Sequence, residues 1–132
     1  MKPTRQEQIY LDYNASTPID PVVESVIRAT MAHAFGNPSS NHWAGAPALA
    51  IVEKARRQVA ALLGCKPAEI VFTSGGSESN NQVLKGSYFS SQERKPHFIT
   101  SSVEHPAIVK PCQFLERLGA RISWLPVDST GS

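Results

Sequence analysis

Two short stretches hold the residue types best suited to chemistry. The first is Thr73-Ser74-Gly75-Gly76-Ser77-Glu78-Ser79-Asn80. Its paired glycines let a backbone approach a ligand closely, and Ser77 adds a hydroxyl donor. A helix opening there would aim its first amides and the positive end of its dipole outward, which suits a phosphate. A plain turn is the competing reading, because Gly-Gly-Ser is common in turns. The stretch is neither a P-loop, which requires Gly-Lys-Ser/Thr, nor a G-x-G-x-x-G dinucleotide site. The second stretch is Val103-Glu104-His105-Pro106. His105 could exchange protons, lay a flat ring against a planar ligand, or be a surface histidine with no task. Glu104 could orient that ring or be solvated.

Other reactive side chains offer less. His33, His42 and His97 are scattered without metal-ligand spacing, so no metal is assigned, and His97 at a strand start reads as structural. Cys65 and Cys112 lie far apart and form no C-x-x-C pair. Cys112, among Ile108, Phe114, Leu115 and Leu118 on an expected helix, reads as a small buried hydrophobe. Cys65, between Leu63-Gly64 and Lys66-Pro67, reads as a turn residue, with no neighbouring base or cation to hold a thiolate.

Elements that could position these residues follow from pattern. Ile9 to Tyr13 reads as a short strand. Asp20-Pro21 supplies a cap and a first helical residue, Val22, Val23, Val26, Ile27, Met31 and Phe35 repeat at helical spacing, and Gly36 is placed to end that helix in a left-handed conformation. Asn37 to His42 is a turn-rich loop. A second helix follows from about Pro47, with Ile51, Val52, Ala55, Val59, Leu62 and Leu63 on one face and Gly64 closing it. Ile70 to Thr73, His97 to Thr100 and Arg121 to Val127 are short apolar runs separated by helices. That β-α-β-α-β order implies a parallel sheet with right-handed crossovers. Pro111 must kink the last helix or delay its start. In such sheets ligands gather at the carboxyl ends of the strands, where both reactive stretches fall.

Bulk properties narrow the class. At 132 residues with 41% hydrophobic and 18% charged content, the chain has the composition of a globular domain with one core. A net charge of +2, spread without a basic block, builds no field for nucleic acid. The polar start, Met1 to Gln8, lacks the apolar centre of a signal peptide, and no apolar run reaches membrane-spanning length. No membrane partner and a cytoplasmic location are expected. No repeat is visible.

Four motifs taken together resemble the class-V aminotransferase family, in its cysteine desulfurase and selenocysteine lyase branch. They are Tyr10 to Pro18, Gly36-Asn37-Pro38-Ser39-Ser40, Phe72 to Asn80, and His97 to Pro106, linked by the Ala55-Arg56 helix and by Glu69 to Phe72. The resemblance covers essentially the whole chain. It implies an α/β fold, a parallel-sheet three-layer fragment of the large domain of fold-type-I pyridoxal-phosphate-dependent transferases. Residues 1–15 would belong to a segment associated with the small domain, and 16–132 to the amino-terminal part of the cofactor-binding large domain.

The same resemblance implies roles. Gly76 and Ser77 would hold the phosphate of pyridoxal 5'-phosphate, and His105 would stack on its ring and shuttle protons. Serine stands at 16 and at 77 where the family usually has threonine, and the hydroxyl is kept. The full-length reaction would remove sulfur or selenium from L-cysteine or L-selenocysteine and leave L-alanine. A homodimer and a sulfur-acceptor protein, as in iron–sulfur cluster assembly, are implied as partners.

Three family features have no counterpart here: the lysine that bonds the cofactor, the aspartate facing the pyridine nitrogen, and the mobile-loop cysteine. Lys2, Lys54, Lys66, Lys85, Lys95 and Lys110 do not stand in that lysine's context, nor Cys65 or Cys112 in that cysteine's. The end, Val127 to Ser132, resembles a mid-domain loop. The sequence is thus expected to be a truncated, inactive desulfurase-like chain. The alternatives are a non-enzymatic fragment that pairs with a full-length homologue or a separate carboxyl half, and another class-V aminotransferase.

Overall fold

The computed structural model describes residues 9–91 and 96–131, in two compact units that divide between Ile70 and Val71. The polar octapeptide at the amino terminus and Lys95, both considered above, lie outside the described residues.

In the first unit, the Oδ1 of Asp20 accepts from the Val22 amide at 2.8 Å, and Pro21 takes the first helical position. Helix α1 therefore runs Pro21–His33, opened by its own cap. Its apolar residues repeat at helical spacing, yet Val22, Val26 and Met31 are 73%, 61% and 75% exposed, and no residue of the helix is buried. Gly36 does not end the helix as expected. Ala34 does, through its amide to the Thr30 carbonyl at 2.9 Å. Gly36 is needed for a close approach, since a Cβ there would sit 1.8 Å from the Ala44 carbonyl oxygen.

Helix α2, Gly45–Leu63, begins slightly ahead of the expected Pro47. Gly64 closes it at φ +67°, where the amide of Cys65 reaches the Ala60 carbonyl at 3.0 Å and that of Gly64 reaches Ala61 at 3.4 Å. A single 3₁₀ turn, Pro67–Glu69, follows. The Arg56 guanidinium donates to the Ile70 carbonyl and, at 3.1 Å, to Glu53, which ties α2 to the chain leaving the turn. The expected strand at Ile9 to Tyr13 is absent. The chain curls into a turn at 13–15 instead, with the Ala15 amide on the Asp12 carbonyl and the Tyr10 hydroxyl 2.8 Å from that of Ser16. Local hydrogen bonds have replaced those of a ladder.

In the second unit the order is α3 (Gly76–Ser90), β1 (His97–Ser101), α4 (Pro106–Arg117) and β2 (Arg121–Leu125). The two strands pair in parallel, His97 opposite Arg121 and Ser101 opposite Leu125, and α4 forms the crossover that parallel strands require. A parallel α/β arrangement is therefore present, but with two strands among the described residues where three were expected. Residues 70–73 join no ladder: β1 and β2 pair with each other, and the run that should flank them is left irregular.

The core is built on α4. Cys112 and Leu115 are fully buried, Pro111 lies beside them, and Ala120 is buried just past the helix end. Pro111 does not delay the helix, which already starts at Pro106. It stands one turn in, where its missing amide removes the bond to the Ala107 carbonyl. The Tyr88 hydroxyl donates to the Leu118 carbonyl at 2.6 Å and so pins the end of α3 to the end of α4. Leu115→Ala should lower stability by about 2–5 kcal/mol, because it empties the best-buried position. Urea unfolding followed by far-ultraviolet circular dichroism measures the loss.

Candidate functional site

The Gly-Gly-Ser stretch forms the start of α3, with Gly75 as its cap residue and Gly76 as its first helical one. No side chain caps this helix. The glutamate at its third position reaches past the cap: Glu78 Oε2 accepts from the Ser74 amide at 2.7 Å and from the Ser74 hydroxyl at 2.5 Å. The Thr73 and Ser79 hydroxyls are 2.7 Å apart, and the Ser79 amide closes the first turn on the Gly75 carbonyl at 3.1 Å. These bonds brace the loop from behind and leave the outward amides of Gly76 and Ser77 without side-chain competition. A Cβ added at Gly75 or Gly76 would meet nothing within 4 Å, so neither glycine is imposed by packing and both face open space. Ser77 is exposed, and its carbonyl accepts from Asn81 Nδ2 at 2.9 Å. An anion can be received here by backbone donors, a hydroxyl and a helix dipole together.

His105 is placed differently. It is the N-cap of α4, and its Nδ1 accepts from the Ala107 amide at 3.0 Å. Its carbonyl takes the next two amides, Ile108 at 2.8 Å and Val109 at 3.2 Å. The helix start at His105 is thus closed by the histidine itself. Glu104 does not orient that ring; its carboxylate lies 3.4 Å from the Ser101 hydroxyl. One groove is lined by Asn81 and Lys85 of α3 and by Pro106, Ala107, Lys110 and Phe114 of α4, so the start of α4 lies beside the second and third turns of α3. Gly76 and Ser77 thus stand at the start of α3 and His105 at the start of α4, in one unit.

Sequence reasoning did not find the Ser74–Glu78 brace or the capping by His105. The first had a weak signal, a serine shortly before a glutamate at a glycine-rich helix start. The second was hidden because histidine is not among the favoured cap residues.

Cys112 is buried as expected. Burial, with Glu104 and Glu116 nearby, pushes its thiol above the ordinary range, so it stays protonated and inert. Cys65 occupies a bend after α2, half-buried. His97 bridges the two strands, accepting from Arg121 at Nδ1 at 2.5 Å with Nε2 2.8 Å from the Ser123 hydroxyl. Among the described residues no cluster of three or more histidine, cysteine or acidic side chains could hold a metal, and no helix is long and apolar enough to cross a membrane.

The hydroxyl and amide of Ser74 hold the Glu78 carboxyl below its ordinary value of 4.5. A carboxyl lowered by folding adds stability that is complete above the unfolded value and is lost as pH falls through the folded one. Ser74→Ala should therefore move the Glu78 midpoint back up toward 4.5 and flatten the acid side of the stability profile. Carboxyl carbon NMR titration of both proteins checks it.

Comparison with known proteins fits this geometry. The aminotransferase class-V family profile matches residues 9–132. The chain is 45% identical over 126 residues to the cysteine desulfurase IscS of Dictyoglomus turgidum, covering 96% of this chain and 32% of that one. It is 47% identical over 131 residues to the mitosomal cysteine desulfurase of Encephalitozoon cuniculi, covering 97% and 30%. Among solved structures, a NifS-like protein superposes with a TM-score of 0.79 at 38% identity, over 88% of this chain and 32% of that one. A structure described as SspA in complex with cysteine gives 0.79 at 43%, over 88% and 33%. The chain spans about a third of the length of the curated relatives it matches. A profile match over nearly all described residues, with identities above 40% across the same span, makes this chain a member of the class-V aminotransferase family, similar to its cysteine desulfurases.

Proposed function

We propose that this chain provides the phosphate-gripping and ring-facing part of a pyridoxal-phosphate site in a cysteine desulfurase. The observation that carries the reading is the uncapped, sterically open start of α3 at Gly76 and Ser77, in the same unit as the α4 start capped by His105. Those residues fit the cofactor: donors without competitors for a dianion, room where a Cβ would stand, and an exposed flat ring at the start of the following helix.

The amides of Gly76 and Ser77 and the Ser77 hydroxyl would bind the phosphate. Glu78 is held back toward Ser74 and does not compete for those donors. The His105 ring would lie against the pyridine and fix its plane. The cofactor, when bound, supplies an electron-withdrawing ring that draws charge from the substrate carbon. Cysteine as substrate is supported by the names of the relatives and by the cysteine complex of the structural neighbour. A homodimer and a protein that accepts the sulfur belong to the same proposal, as does the assignment of residues 1–15 to the small domain.

No lysine or cysteine of this chain stands in the family's catalytic context. The 132-residue chain alone is accordingly proposed to be inactive, and desulfuration to need residues corresponding to the rest of the relatives' length. A second reading, a non-enzymatic piece that pairs with a homologue, is favoured by one observation, the exposed apolar face of α1. Elution of the isolated chain as a compact monomer would count against that reading.

Residues 9–132 grafted into a desulfurase relative in place of the matching segment should restore alanine release from L-cysteine. In that chimera Ser77→Ala should weaken cofactor binding roughly 10- to 100-fold, as expected for one charge-assisted hydrogen bond. A folded chimera that binds the cofactor equally well with and without the Ser77 hydroxyl contradicts the proposed grip. Alanine formation by the 132-residue chain alone contradicts the proposed inactivity.

A further inference from the structure

We infer that the two ring nitrogens of His105 have separate tasks: Nδ1 caps α4, and the neutral ring therefore carries its proton on Nε2, the nitrogen left to meet a ligand. Pro106 occupies the first helical position and has no amide, so the Ala107 amide is the first donor that α4 exposes. That donor points at His105 Nδ1 over 3.0 Å. A nitrogen accepting an N–H bond holds a lone pair and no proton, so in the neutral imidazole the proton sits on Nε2. The His105 carbonyl already accepts the next two amides, of Ile108 and Val109, so it cannot replace Nδ1 as the acceptor for Ala107 without breaking the turn. The ring direction is fixed by the same bond. Backbone at φ −57°, ψ 146° sets where the side chain leaves, and the Ala107 amide sets where Nδ1 must lie.

The consequence for chemistry rests on the cofactor reading above; the tautomer does not. With Nδ1 engaged, the neutral His105 ring is a hydrogen-bond donor at Nε2 and not a base there. The neutral ring takes up a proton at Nδ1, its only in-plane lone pair, and becomes a base at Nε2 only in the other tautomer, with the proton on Nδ1. Either form sets an N–H against the Ala107 N–H, and the cap of α4 must open. Proton movement through His105 is thereby coupled to release of one helix bond, and His105 acts on the start of α4 as a positioning residue as well as on any ring it faces.

The 132-residue chain, uniformly labelled with nitrogen-15 and held in mildly alkaline buffer without cofactor, tests this. Long-range nitrogen–proton correlation spectra should show His105 as the Nε2–H tautomer, with Nδ1 carrying the shift of an unprotonated, hydrogen-bonded nitrogen. A His105 ring in the Nδ1–H form, or an even mixture of the two, overturns the inference while leaving the phosphate grip at Gly76 and Ser77 untouched. A pair of substitutions supplies the second measurement. His105→Asn keeps a capping side chain and should retain the hydrogen-exchange protection of the Ala107 amide, whereas His105→Phe keeps a flat ring and should lose it by at least several-fold. Equal protection of Ala107 in the two variants also overturns the inference.

Discussion

A helix exposes several amides at its start that its own turns cannot satisfy, and each must find an acceptor. The second unit meets that requirement in two opposite ways. At α4 the acceptors are internal: the ring and carbonyl of His105 take the Ala107, Ile108 and Val109 amides. At α3 no side chain takes the first ones, and the one carboxylate in the first turn is turned back onto Ser74. Two helix starts of one unit therefore differ in kind. One is closed and presents a ring, and the other is open and presents donors. The open start suits an anion, and the closed one leaves a flat ring exposed.

The scaffold behind these starts is small. β1 and β2 pair in parallel, α4 crosses between them, and Cys112 and Leu115 supply the fully buried side chains. The Tyr88 hydroxyl on the Leu118 carbonyl ties the carboxyl end of α3 to that of α4, and Asn81 and Lys85 of α3 share a groove with the first turns of α4. Large apolar residues elsewhere stay exposed, among them Val22, Met31, Phe89 and Ile99. Matching proteins are about three times as long as this chain.

Much of this was legible from residue types because the signals were local. Asp20-Pro21 announced α1, Gly64 announced the end of α2, and the Gly-Gly-Ser stretch announced a helix start, since caps and left-handed turns are set by one or two residues. Strands were the weaker part, because a strand is defined by its neighbour. Ile9 to Tyr13 and Ile70 to Thr73 have apolar strand-like composition, yet neither joins a ladder with β1 or β2. Gly36 was misread for a related reason. Its role is set by the Ala44 carbonyl, eight positions away in sequence, and not by the helix it follows. The capping role of His105 lay beyond composition altogether, since it depends on ring orientation.

The central claim is that the open start of α3 grips a phosphate. Backbone amide spectra of the nitrogen-15-labelled chain, recorded during addition of pyridoxal 5'-phosphate and then of pyridoxal lacking the phosphate, test it most directly. If the start of α3 holds the phosphate, the Gly76 and Ser77 amides shift strongly and saturably with the phosphorylated compound and little with the other. Equal responses to the two compounds, or shifts confined to residues away from Gly76 and Ser77, would contradict it.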